Sequence, residues 1–322
     1  MTRTSPITIR AVTEAERDAA ASNAWIELAK PGITRLVALT AAGGFALRAA
    51  STPGEGLLAQ LLPFIGCVAG VALASAGGNA LNQWYEADID RAMPRTRRRP
   101  IPSGRVSPAG AFKFGVATSI AGVLAMLAAA GPVAAALTLA SVALYVLIYT
   151  PWKRWSWTCT LVGAIPGALP PMIGVVAASR SSGFEPLLDP LGLTLFGLLF
   201  VWQLPHFLAI AAMYKDDYAA GGIKVLPTVA GLRINHTAMV ATAALLVPAA
   251  VAPAFSTDLL GWPYAVFAAL TTIAFVFACS RANPKRDARK AWRTVFFGSI
   301  IHLPLLIGAA VIESAIRFAL AP

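Results

Sequence analysis

The sequence predicts an all-α, multi-pass membrane protein, with nine transmembrane helices around a central cavity and the N-terminus cytoplasmic. Three observations carry this expectation. The 322 residues are 57% hydrophobic and only 13% charged, with mean hydropathy +0.67, whereas a soluble domain carries about 25% charged residues. Nine apolar runs reach the length needed to cross a bilayer, about 20 residues each. The basic residues gather between alternate runs. The net charge of +11 therefore reads as membrane topology and not as a nucleic-acid surface.

In chain order, residues 1–23 mix Arg3, Arg10, Glu14, Glu16, Arg17 and Asp18 ahead of any long apolar run. They read as a solvated cytoplasmic tail, without the layout of a signal peptide. Residues 24–322 read as one intramembrane domain. The apolar runs cover about 29–49, 57–83, 109–130, 133–151, 159–179, 190–214, 237–256, 262–280 and 294–314. Only Gly131 and Pro132 separate the third run from the fourth, so these two form a tight helical hairpin.

With nine spans, the N-terminal segment and the loops after runs 2, 4, 6 and 8 share one side. That side holds 23 of the 26 Lys and Arg and leaves Arg48, Arg180 and Arg317 opposite, which makes it cytoplasmic. Gly- and Ala-rich stretches at 69–80 and 163–174 let helices approach closely. Pro166, Pro170 and Pro171 interrupt the fifth run and free backbone carbonyls that need partners inside the protein or cavity water. A packing kink and a cavity wall both fit. Cys67, Cys159 and Cys279 lie far apart in apolar runs and read as small buried hydrophobes. His236 and His302 read as packed, hydrogen-bonded residues.

Chemistry concentrates in two loops. In the first, 81–100, Asn82, Glu86 and Asp90 fall within roughly 80° of one helix face at about 100° per residue. Stacked oxygen donors suit a hard cation such as Mg²⁺. Arg95, Arg97, Arg98 and Arg99 follow. Carboxylates beside guanidiniums make sense when a metal-bound phosphate bridges them. Asp88 points to the opposite face, toward solvent or a loop arginine. In the second loop, 202–228, a helix running on to Asp217 puts Trp202, His206, Met213 and Asp217 on one stripe, with Asp216 about 80° away. Asp217 and Asp216 then offer a second acidic site. After the fourth run, Lys153 and Arg154 read as phosphate partners or plain topology anchors. Trp152, Trp155 and Trp157 read as an interfacial belt.

At these residues the sequence resembles the UbiA-type intramembrane prenyltransferases. The family's acidic motif on helix 2, N-x-x-x-D-x-x-x-D, stands here as Asn82, Glu86 and Asp90. The stretches NQWYEADID, RTRRRP, YTPWKR, GAIPGALPPMIG, WQLPHF and DDYAAGGIKVLP resemble one branch of it, the farnesyltransferases that act on haem. The resemblance covers roughly residues 25–310. It implies transfer of farnesyl from farnesyl diphosphate to a vinyl group of haem b, with water adding a hydroxyl, to give haem O in a bacterial inner membrane. A haem A synthase or oxidase-assembly proteins would lie downstream.

The resemblance also implies roles. Asn82, Glu86 and Asp90, with Asp217 and Asp216, would hold Mg²⁺ and carry catalysis. Arg95, Arg99, Lys153 and Arg154 would bind diphosphate. His206, Trp202, Tyr149 and Tyr214 would line the haem or prenyl site. Trp84, Tyr85, Tyr145, Tyr149 and Trp202 are candidates to face an allylic cation. Two positions depart from the pattern. Glu86 stands for the commoner Asp, and Met213 stands where the first helix-6 Asp would lie. A prenyltransferase with a quinone or chlorin acceptor shares the same diphosphate site. A small transporter is the reading from another class, but no second set of intramembrane charges marks a transport path.

Overall fold

Prolines and glycines set where the helices begin and turn. Pro31, Pro108, Pro132 and Pro190 each open a helix, at the position where the missing N–H costs nothing. Gly131, at φ 91°, takes the left-handed turn of the tight hairpin. Asp189 caps the helix it precedes, its Oδ1 accepting from Leu191 N at 2.9 Å and Gly192 N at 3.3 Å. The computed structural model describes residues 23–51, 57–282 and 288–320. The expected cytoplasmic tail, apart from Asn23, lies outside the described residues.

Among the described residues, nine helices are long and apolar enough to cross a bilayer. They are span 1 (Pro31–Ala50), span 2 (Ala59–Tyr85), span 3 (Pro108–Ala130), span 4 (Pro132–Trp152) and span 5 (Cys159–Ser179). Span 6 (Pro190–Met213), span 7 (Gly231–Phe255), span 8 (Trp262–Arg281) and span 9 (Arg289–Leu320) complete the set. The described residues contain no strand. Spans 7 and 9 begin earlier than their apolar runs. Arg233, Asn235 and His236 belong to the helix, because hydropathy marks the lipid-facing stretch and not the full helical one.

Three local departures matter for the site. Helix 2 does not continue through its acidic motif: span 2 stops at Tyr85, Glu86 sits at φ −95°, ψ 5°, and a short helix Ala87–Ala92 follows. Span 6 does not run on to Asp217. It ends at Met213, Tyr214 breaks it at φ −118°, ψ 28°, and Lys215–Ala220 forms a separate turn. Within span 4, Leu144–Tyr149 is a π-helical turn.

Successive spans pack side by side from 2 through 9, and span 1 closes the ring against spans 2, 5 and 9. Span 5 is the most buried, at 78%, so it forms an inner wall. Its contact with span 1 depends on glycine. A Cβ on Gly44 would strike the Pro171 carbonyl, and one on Gly174 would strike the Ala41 carbonyl. The three prolines of span 5 leave it one continuous helix. Ser141 Oγ donates to Pro166 O at 3.1 Å and Gln203 Nε2 to Ala164 O at 3.2 Å. Neighbouring helices therefore answer carbonyls along the proline-rich face. Pro166 and Pro170 also face the central cavity, so packing and wall are the same feature. Cys67, Cys159 and Cys279 are buried thiols.

Candidate active site

The spans enclose a cavity of about 430 Å³. Its wall is mostly apolar, and its charged groups collect at the end where spans 2, 4 and 6 finish. Four basic side chains there, Lys30, Arg95, Arg99 and Lys153, face two carboxylates, Glu86 and Asp90.

The motif on helix 2 is almost fully buried, with Asn82, Glu86 and Asp90 at 3%, 3% and 0% exposure. Buried carboxylates need positive partners, and each oxygen donor has its own. Lys30 Nζ donates to Asn82 Oδ1 at 3.0 Å. Lys153 Nζ pairs with Glu86 Oε1. Arg99 Nη1 donates to both Asp90 oxygens, at 2.9 and 2.7 Å. The break at Glu86 keeps the i to i−4 backbone bonds, Glu86 N to Asn82 O at 3.1 Å and Asp90 N to Glu86 O at 2.8 Å. The three side chains thus stay on one face, as the spacing expects.

The π-helical turn of span 4 contributes twice. It stacks Tyr145 and Tyr149, ring centroids 5.5 Å apart, on the cavity wall. It also places the fully buried Thr150 beside Asn82. Thr150 Oγ1 donates to Tyr145 O at 2.7 Å, so its single proton is committed. It therefore accepts from Asn82 Nδ2 at 3.2 Å, and that same Nδ2 donates to Glu86 Oε1 at 2.9 Å. The amide is fixed with Oδ1 toward Lys30 and the cavity. Neither Lys30 nor Thr150 stood out in the sequence. Lys30 reads there as one more anchor at a helix start, and Thr150 carries no local signal. Burial and the crowding of Arg99 push Lys30 down to about 7.

The donor set fits a hard cation. All its ligating atoms are oxygens, and two carboxylates plus an amide are what Mg²⁺ accepts alongside phosphate oxygens and water. Among the described residues no group of three or more His, Cys, Asp or Glu side chains is placed to hold a metal ion. The remaining ligands would thus have to come from a bound anion or water.

A sequence profile of the UbiA prenyltransferase family matches residues 36–301. The chain belongs to the UbiA prenyltransferase family. It is 39% identical over 299 residues to a protein named protoheme IX farnesyltransferase from Opitutus terrae, covering 91% of this chain and 96% of that one. A protein of the same name from Anaeromyxobacter sp. is 39% identical over 282 residues, covering 88% and 90%. Two solved structures share the fold. One is an apo UbiA homologue from Aeropyrum pernix, at 23% identity and TM-score 0.68, covering 86% of this chain and 97% of that one. The other is an Archaeoglobus fulgidus UbiA homologue bound to GPP and Mg²⁺, at 15% identity and TM-score 0.66, covering 91% and 99%.

This UbiA chain does not gather every residue that the sequence singles out. Arg95 and His206 line the cavity, as do Tyr145, Tyr149 and Trp202. Asp217, Asp216, Tyr214 and Arg154 are not among its lining residues. The break at Tyr214 is the reason for the first two, because it takes the acids off the stripe of His206. Asp217 instead faces Arg95, its Oδ2 3.9 Å from Nε, and Tyr214 lies under the Arg95 guanidinium at 4.7 Å. Both stand behind a cavity arginine. Arg154 pairs with Asp88 at 3.0 Å on the exposed surface, the loop-arginine pairing expected of Asp88. Trp84 and Tyr85 turn outward, at 37% and 39% exposure, against Phe112 and Arg154. His236 bonds to Cys279 O and His302 to Thr272, both in helix packing.

The two loops close over the polar end together. The end of span 4 joins them, Lys224 N donating to Lys153 O at 3.0 Å. Ile89 and Met93 pack with Ile223 and Val225.

Proposed function

We propose that this UbiA prenyltransferase transfers the farnesyl group of farnesyl diphosphate to a vinyl group of haem b, with addition of water, giving haem O and diphosphate. One observation carries the reading. Three oxygen donors, each held by its own basic side chain, sit at one end of a largely apolar cavity. That end suits a diphosphate with its metal, and the wall suits a prenyl chain and a flat apolar acceptor. The haem acceptor is supported by the names of the relatives similar across nearly the whole chain.

The chain's own groups divide the work. Lys30, Arg95, Arg99 and Lys153 bind the diphosphate oxygens and stabilise the charge that builds there as the C1–O bond breaks. Asn82, Glu86 and Asp90 would hold Mg²⁺, which supplies further charge stabilisation on the leaving group. Tyr145, Tyr149 and Trp202 present ring faces to the allylic cation, worth about 0.5–2 kcal/mol each, while the apolar wall keeps water off it. The vinyl group's terminal carbon then bonds to C1 of the farnesyl chain. Asp217 and Tyr214 act through Arg95, which they hold in place.

The same reading sets the polar end on the cytoplasmic side of a bacterial inner membrane, with the N-terminus also inside, since 23 of the 26 Lys and Arg fall on that side. An enzyme that consumes haem O would draw product from the same bilayer.

The test is direct. Detergent-held protein is incubated with haem b, farnesyl diphosphate and Mg²⁺, and the product is weighed. Haem O that vanishes on chelation supports the acceptor and the metal together. Diphosphate release without haem O would discard the haem acceptor and leave a prenyltransferase for another ring.

A further inference from the structure

We infer that His206 is the general base that takes a proton from the water added to the prenylated haem. This rests on the haem reading above and deepens it.

Hydrogen counting sets the tautomer. Ser299 Oγ donates to Phe296 O at 2.6 Å, and a serine hydroxyl has one proton to give. Ser299 Oγ also lies 2.7 Å from His206 Nδ1, so at that contact it accepts. Nδ1 therefore carries the proton, and the lone pair sits on Nε2. The ring is held between two others: it stacks on Trp202 at 5.0 Å and 18°, and meets Phe296 in a tilted contact at 5.0 Å and 30°. Trp202 is pinned to the same turn of span 9, its Nε1 donating to Ser299 O at 3.1 Å. His206 lines the cavity, and Nε2 has no hydrogen-bond partner among the described residues.

The reaction needs such a group. When the vinyl carbon bonds to farnesyl C1 and the C1–O bond breaks, positive charge moves to the inner vinyl carbon. Water oxygen bonds there, and one proton must leave for the alcohol to form. The carboxylates and the thiol at the cavity are committed. Glu86 and Asp90 are held by Lys153 and Arg99, and Cys159 Sγ donates to Lys224 O at 3.5 Å. Among the described lining carboxylates, thiol and imidazole, His206 Nε2 is the acceptor with no partner, and it stands on span 6, away from the amines of Lys30 and Lys153 that meet the diphosphate. Ser299 is its positioning residue.

The readout is the ratio of two products in each turnover, which a general loss of rate does not move. A cation that is not captured by water loses a neighbouring proton instead, and gives an alkene lighter than haem O by one water. In His206→Gln the alcohol-to-alkene ratio should fall about 100-fold, the usual scale of general-base assistance. In Ser299→Ala it should fall about tenfold, as for a lost orienting partner, and Ser299→Thr should restore it. Should the first variant not fold, the serine pair decides alone. A wild-type ratio in the folded variants overturns the assignment. So does an altered absorption spectrum of bound haem with an unchanged ratio, which would give Nε2 to the iron. A wild-type protein that makes neither haem product refutes the haem reading itself.

Discussion

Arg99 Nη1 straddles the carboxylate of Asp90, 2.9 Å from Oδ1 and 2.7 Å from Oδ2. The two residues are not equally buried. Asp90 is fully enclosed, whereas the Arg99 side chain keeps 21% of its surface exposed. Removing one partner of a buried pair costs about 3–5 kcal/mol when a charge is stranded away from water. Arg99→Ala strands Asp90 and should lower the thermal transition in detergent more than Asp90→Asn, which leaves Arg99 free to reach cavity water. Catalysis should rank differently. Asp90→Asn should reduce turnover by about 100-fold or more, the scale for a lost transition-state contact. Equal melting shifts in the two variants would contradict the asymmetry.

Thr150 orients Asn82 without touching the cavity's contents. Thr150→Val keeps the shape and removes the hydroxyl, so the Asn82 amide loses its reason to face Oδ1 inward. The Mg²⁺ concentration for half-maximal activity should rise by about 10- to 100-fold, the usual effect of a lost partner behind a metal ligand. Thr150→Ser should behave as wild type. An unchanged metal requirement in the valine variant would make Thr150 a packing residue.

Lys30 supplies a pH dependence. Its folded value near 7 lies below the ordinary lysine value of 10.5. In the free enzyme its charge is thus present below pH 7 and lost as pH rises through 7. An anion binds the charged form, so binding above pH 7 takes up a proton. KM for farnesyl diphosphate should climb between pH 7 and 9, and Lys30→Met should reduce the climb, the remainder belonging to Lys153, which burial likewise pushes down to about 7. A KM that is level across this range in the wild type would show that Lys30 does not meet the diphosphate. The stability sign is separate. The buried ammonium costs stability below pH 7, and that cost is relieved between 7 and 10.5.

Arg154 tests how far a motif is read too literally. It sits beside Lys153 in the sequence, yet it pairs with Asp88 at the surface, where an ion pair is worth little. Arg154→Ala should change kcat/KM by less than about fivefold, against about 100-fold for Lys153→Ala, which also unpairs a buried carboxylate. Comparable losses would return Arg154 to the diphosphate.

The sequence makes the nine spans legible because lipid imposes one rule on every one of them, length of apolar run. It also makes Asn82, Glu86 and Asp90 legible, because a helix face is a local property. What it hides is set by distance along the chain or by local breaks. Lys30 meets Asn82 across 52 residues, Thr150 meets it across 68, and Ser299 meets His206 across 93. No periodicity encodes such contacts. The break at Tyr214 defeats the helical stripe drawn through Asp217, and nothing as strong as glycine or proline marks it. The π-helical turn of 144–149 is not written in its own residues; the nearest signal is Pro151 just beyond it, whose missing N–H disturbs the preceding turn. Lys30 has one faint signal in hindsight, a lysine directly before the proline that opens span 1.

Under the proposed function, the three oxygens and their three basic partners form one exchange site. With each carboxylate already paired, a cation alone must displace side chains that then have nowhere to go. A diphosphate alone must pull those side chains from buried acids. Together, the metal takes the oxygens and the freed cations take the phosphates. Calorimetric titration with a non-reacting farnesyl diphosphate analogue, with and without Mg²⁺, measures this coupling. We expect Mg²⁺ to tighten the analogue by at least tenfold, within the usual 1–3 kcal/mol of coupling between sites, and the analogue to tighten Mg²⁺ by the same factor. Independent binding of the two, with a coupling factor near one, would contradict the account.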